Sequence, residues 1–288
     1  MLTRLCLFLA AATLAHAEPS ETLPIYDGLA PGETSDATGT LLPPREQPRG
    51  DFPPIERVEN VRRPTLDVYP AANPNGVGVV ILPGGGFKYV VPNLEGSEAA
   101  AILNRLGITA FVLRYRTKAD ADDAGWPNAL DDARRAMQLV RDDAARFKLQ
   151  PDQIRLLGFS AGGQVAARLI ADGNSSGDAP AFAVLVYPWN LYDAKRDALL
   201  SDVVVTERTP PTFLVHTHDD RSSSLGAALL YADLKRAGVD AELHIYRSGG
   251  HGYGTRPRAG SAIGTWPDRM TDWMQLRGLV ETDPTPAP

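Results

Sequence analysis

Several short stretches of this chain are nearly continuous apolar runs: VGVVILP at 77–83, ITAFVLRYR at 108–116, FAVLVY at 182–187 and TFLVH at 212–216. They are too short for buried helices, and they lack the alternation of a strand with one wet face. A strand reads this way when both its faces are covered, as in a parallel sheet. Helical periods lie between the runs. After Trp126-Pro127, the residues Leu130, Ala133, Met137, Val140, Ala144 and Phe147 recur at spacings of three and four. They form one apolar stripe, with Asp and Arg on the other faces. EGSEAAAILNRLG reads as a helix closing at Gly107, and residues 224–237 as another closing at Gly238. Further strands are expected at 65–69, 154–158 and 241–246, with helices at 161–172 and 265–276. Strand–helix order repeated this often predicts an α/β domain over 65–277, with a mostly parallel central sheet and helices on both faces. Ligands in such sheets bind beyond the carboxyl ends of the strands.

The flanking segments have other roles. MLTRLCLFLAAATLAHA has a positive Arg4, an apolar run of about ten residues from Leu5 to Leu14, and an Ala15-His16-Ala17 cleavage site. That is the pattern of a signal peptide over 1–17, in a run too short to span a bilayer. Export to the periplasm or the medium of a bacterium is expected, with the mature chain beginning at Glu18. The one cysteine, Cys6, lies in that leader, so neither disulfide nor thiol chemistry is expected in the mature chain. Residues 18–64 hold nine prolines and read as an extended arm. Residues 278–288 read as a disordered tail. The formal net charge is −6, from 29 basic and 35 acidic residues. The charges are interspersed without a long basic run, which argues against a nucleic-acid partner.

The chemistry concentrates around RLLGFSAGGQVAARL, residues 155–169. Gly158-Phe159-Ser160-Ala161-Gly162 is a G-x-S-x-G in the context of strand, tight turn and helix. Such a turn lifts the Ser160 hydroxyl into a site beside the free N–H groups of a helix start. The blander reading of Ser160 is a helix N-cap, so the argument rests on partners. A serine nucleophile needs a histidine to take its proton and a carboxylate to orient that histidine. His251, in SGGHGYG directly after the last strand, is the candidate base. His218 is a weaker alternative. LVHTHDDRSS supplies the acid after strand 212–216: Asp219 is preferred, with Asp220 as the alternative. The order serine, aspartate, histidine is that of α/β-hydrolases. ILPGGGF places Gly84, Gly85 and Gly86 after the strand 77–82. Gly85 and Gly86, with the Ala161 N–H, are the expected oxyanion donors. Phe87, Tyr89, Trp189 and Tyr253 are candidate substrate contacts. No metal or cofactor is expected.

LPGGGF, EGSEAAAILNRLGITAFVLRYR, ALDDARRAMQLVR, GFSAGG, YADLKRAGVDAELHIY and GGHGYG together resemble the bacterial acetyl-xylan esterase and feruloyl esterase-like α/β-hydrolases, some of which carry the name xylanase B. The resemblance covers residues 65–276. It implies a metal-free deacetylation of plant polysaccharides or cleavage of short acyl esters, with Ser160 as nucleophile, His251 as base and an aspartate of HDDR as acid. One departure is the SSS that follows HDDR, where the family often has a Val-Pro-type stretch. The expected function is thus a secreted serine esterase with an ester partner, an acetylated polysaccharide or oligosaccharide. Two other readings are a prolyl-oligopeptidase-like peptidase, for which the chain lacks room for a propeller domain, and a non-catalytic carbohydrate-binding protein on the same fold. The leader makes the first prediction: protein recovered from a bacterial periplasm or culture medium begins at Glu18 on N-terminal sequencing, whereas an uncleaved leader would leave Met1 in place.

Overall fold

A computed structural model of the protein describes residues 18–45, 52–118, 120, 123–176 and 179–280. The expected leader at 1–17 lies outside the described residues, as does the tail from 281 onward. The chain runs through β1 (Glu21–Pro24), β2 (Thr38–Leu41), β3 (Val58–Val61), β4 (Thr65–Tyr69), β5 (Gly78–Leu82) and β6 (Tyr89–Val90). A π-helical turn, Asn93–Ser97, leads into α1 (Glu98–Arg105), followed by β7 (Thr109–Arg114) and α2 (Trp126–Asp142). Then come β8 (Ile154–Phe159), α3 (Ser160–Ser176), β9 (Ala183–Val186), a small hairpin of β10 (Tyr192–Asp193) and β11 (Ala198–Leu199), and β12 (Thr212–Thr217). The chain closes with α4 (Leu225–Arg236), β13 (Ala241–Tyr246) and α5 (Trp266–Leu276).

Eight strands form the central sheet in the order β1-β4-β7-β5-β8-β9-β12-β13. From β7 to β13 every pairing is parallel, while β4 is antiparallel to β7. The apolar runs of the sequence are its central strands. Their side chains alternate between two cores. Val80, Leu82, Phe111, Leu113, Leu156, Leu185 and Leu214 face α2, α3 and α4. Val79, Ile81, Ala110, Val112, Leu157, Val184 and Val215 face α1 and α5. Both faces are therefore covered, which is why these strands carry no polar alternation. The stripe on α2 buries Ala129, Leu130, Ala133, Ala136, Met137 and Val140. The edge strand β13 is more open, with Ile245 exposed and its other residues only partly buried.

The proline-rich arm does more than wrap the surface. β1 pairs antiparallel with β4 and becomes the outer strand of the main sheet. Pro24 is tolerated there because an edge strand has one unpaired side. β2 and β3 form a second, three-stranded sheet with β6. A buried ion pair anchors the arm: the Arg116 guanidinium donates to Asp132 Oδ1 at 2.8 Å, with both side chains at most 1% exposed. Asp132 also accepts from the Arg116 N–H and from the Tyr26 hydroxyl of the arm, and Arg116 Nη1 donates to the Pro31 carbonyl. Burial, together with the neighbouring Asp132, pushes the Tyr26 hydroxyl up to about 12. At the arm's other end Arg256 joins Glu98 of α1 to the Pro53 carbonyl. Removing one partner of a buried pair strands the other charge. Asp132→Ala is therefore expected to lower unfolding free energy by about 3–5 kcal/mol, read from urea denaturation, while Asp131→Ala, exposed on the same helix, stays near wild type.

Candidate active site

Ser160 sits where β8 turns into α3, with its backbone at φ +50°. A non-glycine residue in this region costs about 1–3 kcal/mol and persists only where the surroundings enforce it. Here the enforcement is close packing. A Cβ on Gly162 would run into the Leu82 carbonyl, so α3 can start against β5 only with glycine at this position. The Trp189 N–H donates to the Ser160 carbonyl at 2.8 Å and pins the turn from the segment after β9. Ala161 lies in the first turn of α3, whose N–H groups have no partner within a helix.

The loop after β5 lies against this turn: a Cβ on Gly84 would meet the Ser160 Cβ at 2.6 Å. The Gly84 N–H is already engaged, donating to Glu95 Oε2 at 2.6 Å. The Tyr115 hydroxyl holds the Pro83 carbonyl at 2.7 Å. Gly85 takes φ +133° and leaves no space for a side chain next to the Tyr89 carbonyl. Gly85 is partly exposed and Gly86 exposed, so their peptides border the open side of the loop. The expected donors Gly85, Gly86 and Ala161 thus belong to two segments that both adjoin Ser160.

His251 reaches Ser160 from the loop after β13: its Nε2 is 2.7 Å from Ser160 Oγ. Its Nδ1 is 2.6 Å from Asp220 Oδ2. With a carboxylate at Nδ1, the neutral ring carries its proton there and presents Nε2 as an acceptor for the Ser160 hydroxyl. This corrects the preference for Asp219. Asp220 turns inward, with its side chain fully buried, and its Oδ1 accepts from the Ser222 N–H at 2.8 Å. Asp219 turns outward, accepting from the Gly250 and Gly249 N–H groups at 2.8 and 3.2 Å. Those N–H groups hold its carboxyl below the usual range. Asp219 therefore grips the loop that carries His251. Arg258 grips the same loop through the Gly249 and His251 carbonyls, and Thr217 through the Gly250 carbonyl.

The other sequence candidates separate by burial. His218 is exposed. Trp189 is half-buried, its ring edge-on to His251 at 5.2 Å. Tyr89 is partly exposed between the guanidinium groups of Arg45 and Arg57. Phe87 is 7% exposed and packs by Tyr115 and Gly125, and Tyr253 is 1% exposed against Tyr187. Both are buried, Tyr253 in the core beside Tyr187. Two buried groups were missed as parts of the site. His216 lies behind Asp220, its Nδ1 3.9 Å from Oδ2, and burial pushes its pKa down, which keeps it neutral. Glu95 reads in the sequence as an ordinary acid near a helix start, and only tertiary packing brings it under the glycine loop.

Residues 79–208 match the model of an alpha/beta hydrolase fold family. The chain is 29% identical over 218 residues to an acetylxylan esterase of Xylanibacter ruminicola, covering 67% of this chain and 43% of that protein. It is 25% identical over 203 residues to an endo-1,4-beta-xylanase B of Butyrivibrio fibrisolvens, covering 60% of this chain and 32% of that one. The chain thus spans less than half the length of either relative. Among solved structures, an acetyl ester-xyloside bifunctional hydrolase of Caldicellulosiruptor lactoaceticus aligns over 92% of this chain and 99% of its own, with TM-score 0.69 and 26% identity. The sheet, the serine turn and these likenesses together show that the chain has the α/β-hydrolase fold and is similar to these acetylxylan-related hydrolases.

Proposed function

We propose that this chain is a serine carboxylic ester hydrolase acting on acetylated xylan or related acetylated plant carbohydrates, through Ser160, His251 and Asp220. The observation that carries the reading is the unbroken relay from Ser160 Oγ through His251 to a buried Asp220, at 2.7 and 2.6 Å. In this reading Ser160 Oγ attacks the ester carbonyl while His251 Nε2 takes its proton, and Asp220 stabilises the resulting imidazolium. The tetrahedral oxyanion is held by the Ala161 N–H and by the Gly85 and Gly86 N–H groups. A single donor of this kind contributes about 2.7–4 kcal/mol to the transition state. His251 then protonates the leaving sugar oxygen, and an acyl-Ser160 forms. Water, deprotonated by His251, attacks that acyl group and releases acetate and free Ser160. Asp219 and Arg258 act one step back, holding the His251 loop.

The substrate class is supported by what two relatives are named for, acetylxylan and acetyl ester-xyloside hydrolysis. Ester cleavage is preferred to cleavage of the glycosidic bond, because a glycosidase needs two carboxylates flanking the bond, whereas Asp220 is committed to His251. Export is part of the proposal and rests on the pattern of residues 1–17. Among the described residues no helix is long and apolar enough to cross a membrane.

The decisive assay compares the mature chain with Ser160→Ala on 4-nitrophenyl acetate, acetylated xylan and methyl ferulate. Wild type is expected to release acetate from xylan and the variant none. Cleavage of the small acetate ester alone would reduce the reading to a generic esterase, and failure on every ester together with resistance to a fluorophosphonate would remove it. A second pair separates the two aspartates. Asp220→Asn is expected to lower kcat by about 10⁴-fold, as loss of the orienting carboxylate does in serine hydrolases. Asp219→Asn keeps an amide oxygen for one loop N–H and is expected to lower kcat by less than about tenfold. Equal losses in both would contradict the division of roles.

A further inference from the structure

Beneath the site lies a carboxyl that the proposed chemistry does not use. Glu95 is 4% exposed and belongs to the π-helical turn before α1. Turns of this kind concentrate at functional sites. Burying a carboxyl is costly unless its oxygens are satisfied. Both are satisfied here, each by a different wall of the site. Glu95 Oε2 accepts from the Gly84 N–H at 2.6 Å, on the glycine loop. Glu95 Oε1 accepts from the Tyr187 hydroxyl at 2.7 Å. That hydroxyl in turn accepts from the Gly254 N–H at 2.9 Å, three residues beyond His251. The Gly254 carbonyl is held by Trp266 Nε1 at 2.8 Å. An unbroken hydrogen-bonded chain therefore runs from the glycine loop to the histidine loop. In this chain the Gly84 N–H and the Tyr187 O–H both donate to Glu95, which accepts twice. The Tyr187 ring also stands edge-on to the His251 ring, with centroids 4.9 Å apart, and to Tyr253 at 4.3 Å. Tyr187 itself is held at φ +38°, an uncommon conformation for an aromatic residue, at the end of β9.

We propose that Glu95 and Tyr187 are positioning residues of the proposed ester hydrolysis, a buried tether that sets the glycine loop and the His251 loop at a fixed distance across Ser160. The proposal rests on the esterase reading and deepens it. Neither residue touches substrate. Their effect is on the two loops whose separation decides whether the Gly85 and Gly86 donors and the imidazole reach one tetrahedral centre together. Catalytic geometry of this kind is steep, since a displacement of about 1 Å costs roughly 10²-fold in rate. Both loops also have independent anchors, Tyr115 on one side and Asp219 with Arg258 on the other. Loss of the tether should therefore misalign the site without unfolding it.

The test uses Glu95→Gln and Tyr187→Phe in the full mature chain. Glu95→Gln keeps shape but replaces one acceptor by an NH2, so it faces a donor at Gly84 or at Tyr187. Tyr187→Phe keeps the ring contacts and removes only the hydroxyl. Active sites are counted by fluorophosphonate titration, and kcat and KM for 4-nitrophenyl acetate are measured per titrated site. Each variant is expected to lose about 10–100-fold in kcat, with KM within threefold of wild type. The double variant should fall no more than threefold below the worse single one, because both break one chain. If Glu95→Gln does not fold, Tyr187→Phe carries the test alone. Values of kcat per site within twofold of wild type would overturn the proposal, as would losses confined to KM or to the number of titratable sites. A wild-type chain that neither hydrolyses the ester nor titrates removes the esterase reading itself, and this proposal with it. An active wild type with unaffected variants removes only the tether.

Discussion

The structure turns on the close approach of α3 to β5 at the start of the helix. Ser160 can be held at φ +50° only if the helix begins immediately and presses against the neighbouring strand. That contact leaves no room for a Cβ at Gly162 over the Leu82 carbonyl. The consequences spread outward. β5 must be central, because its carbonyl end supports the helix start and its following loop supplies Gly85 and Gly86. β8 lies between β5 and β9, so the turn has a loop on each side: the glycine loop and the Tyr187–Trp189 segment. The strain at one residue is thus sustained by a sheet whose strands are buried on both faces, where side chains cannot relax outward.

Burial of a carboxyl group follows the same logic at three places, and each has a separate purpose. Asp132 is stabilised by Arg116 and Tyr26 and closes the arm onto the domain. Asp220 is stabilised by the Ser222 N–H and by His251, with His216 held neutral behind it. Glu95 is stabilised by two donors from two loops, while burial pushes its pKa up against them. Every one of these carboxyls has at least one partner distant in sequence: Tyr26 for Asp132, His251 for Asp220 and Tyr187 for Glu95. Each therefore reports tertiary structure, not local propensity.

That distinction explains what could be read in the sequence. Covered strands such as VGVVILP and FAVLVY are legible because burial on both faces removes polar residues from a short local window. The serine turn is legible because its glycines are required within five consecutive positions. Ser160 and His251 then follow from chain order. What was not legible depends on orientation. Asp219 and Asp220 are neighbours of the same chemistry, and no local rule says which one turns inward. The side chains diverge because β12 ends at Thr217 and the following turn brings the Asp220 N–H back to the Thr217 carbonyl. Asp220 is left under His251 and Asp219 beside the Gly249–Gly250 peptides. Likewise β1, four residues in a proline-rich arm, shows no periodicity, and only its pairing with β4 makes it a strand. Tyr253 is near the site in sequence yet packed against Tyr187 in the core, a matter of which face of a loop meets the core.

The two aspartates also show how a loop can divide one requirement between neighbours. A histidine base needs its ring oriented and its backbone fixed, because a ring held at Nδ1 alone could still drift with a glycine-rich loop. Asp220 binds the ring, and Asp219 binds the two peptides immediately before it. Adjacent residues on one turn, pointing to opposite sides, thereby fix both ends of the same lever. Arg258 completes the arrangement by taking the carbonyls of the segment whose N–H groups Asp219 takes. The flexibility that SGGHGYG suggests as a sequence is in this way withdrawn by partners on the neighbouring turns, which is what allows a histidine on a glycine loop to meet a serine at hydrogen-bond distance.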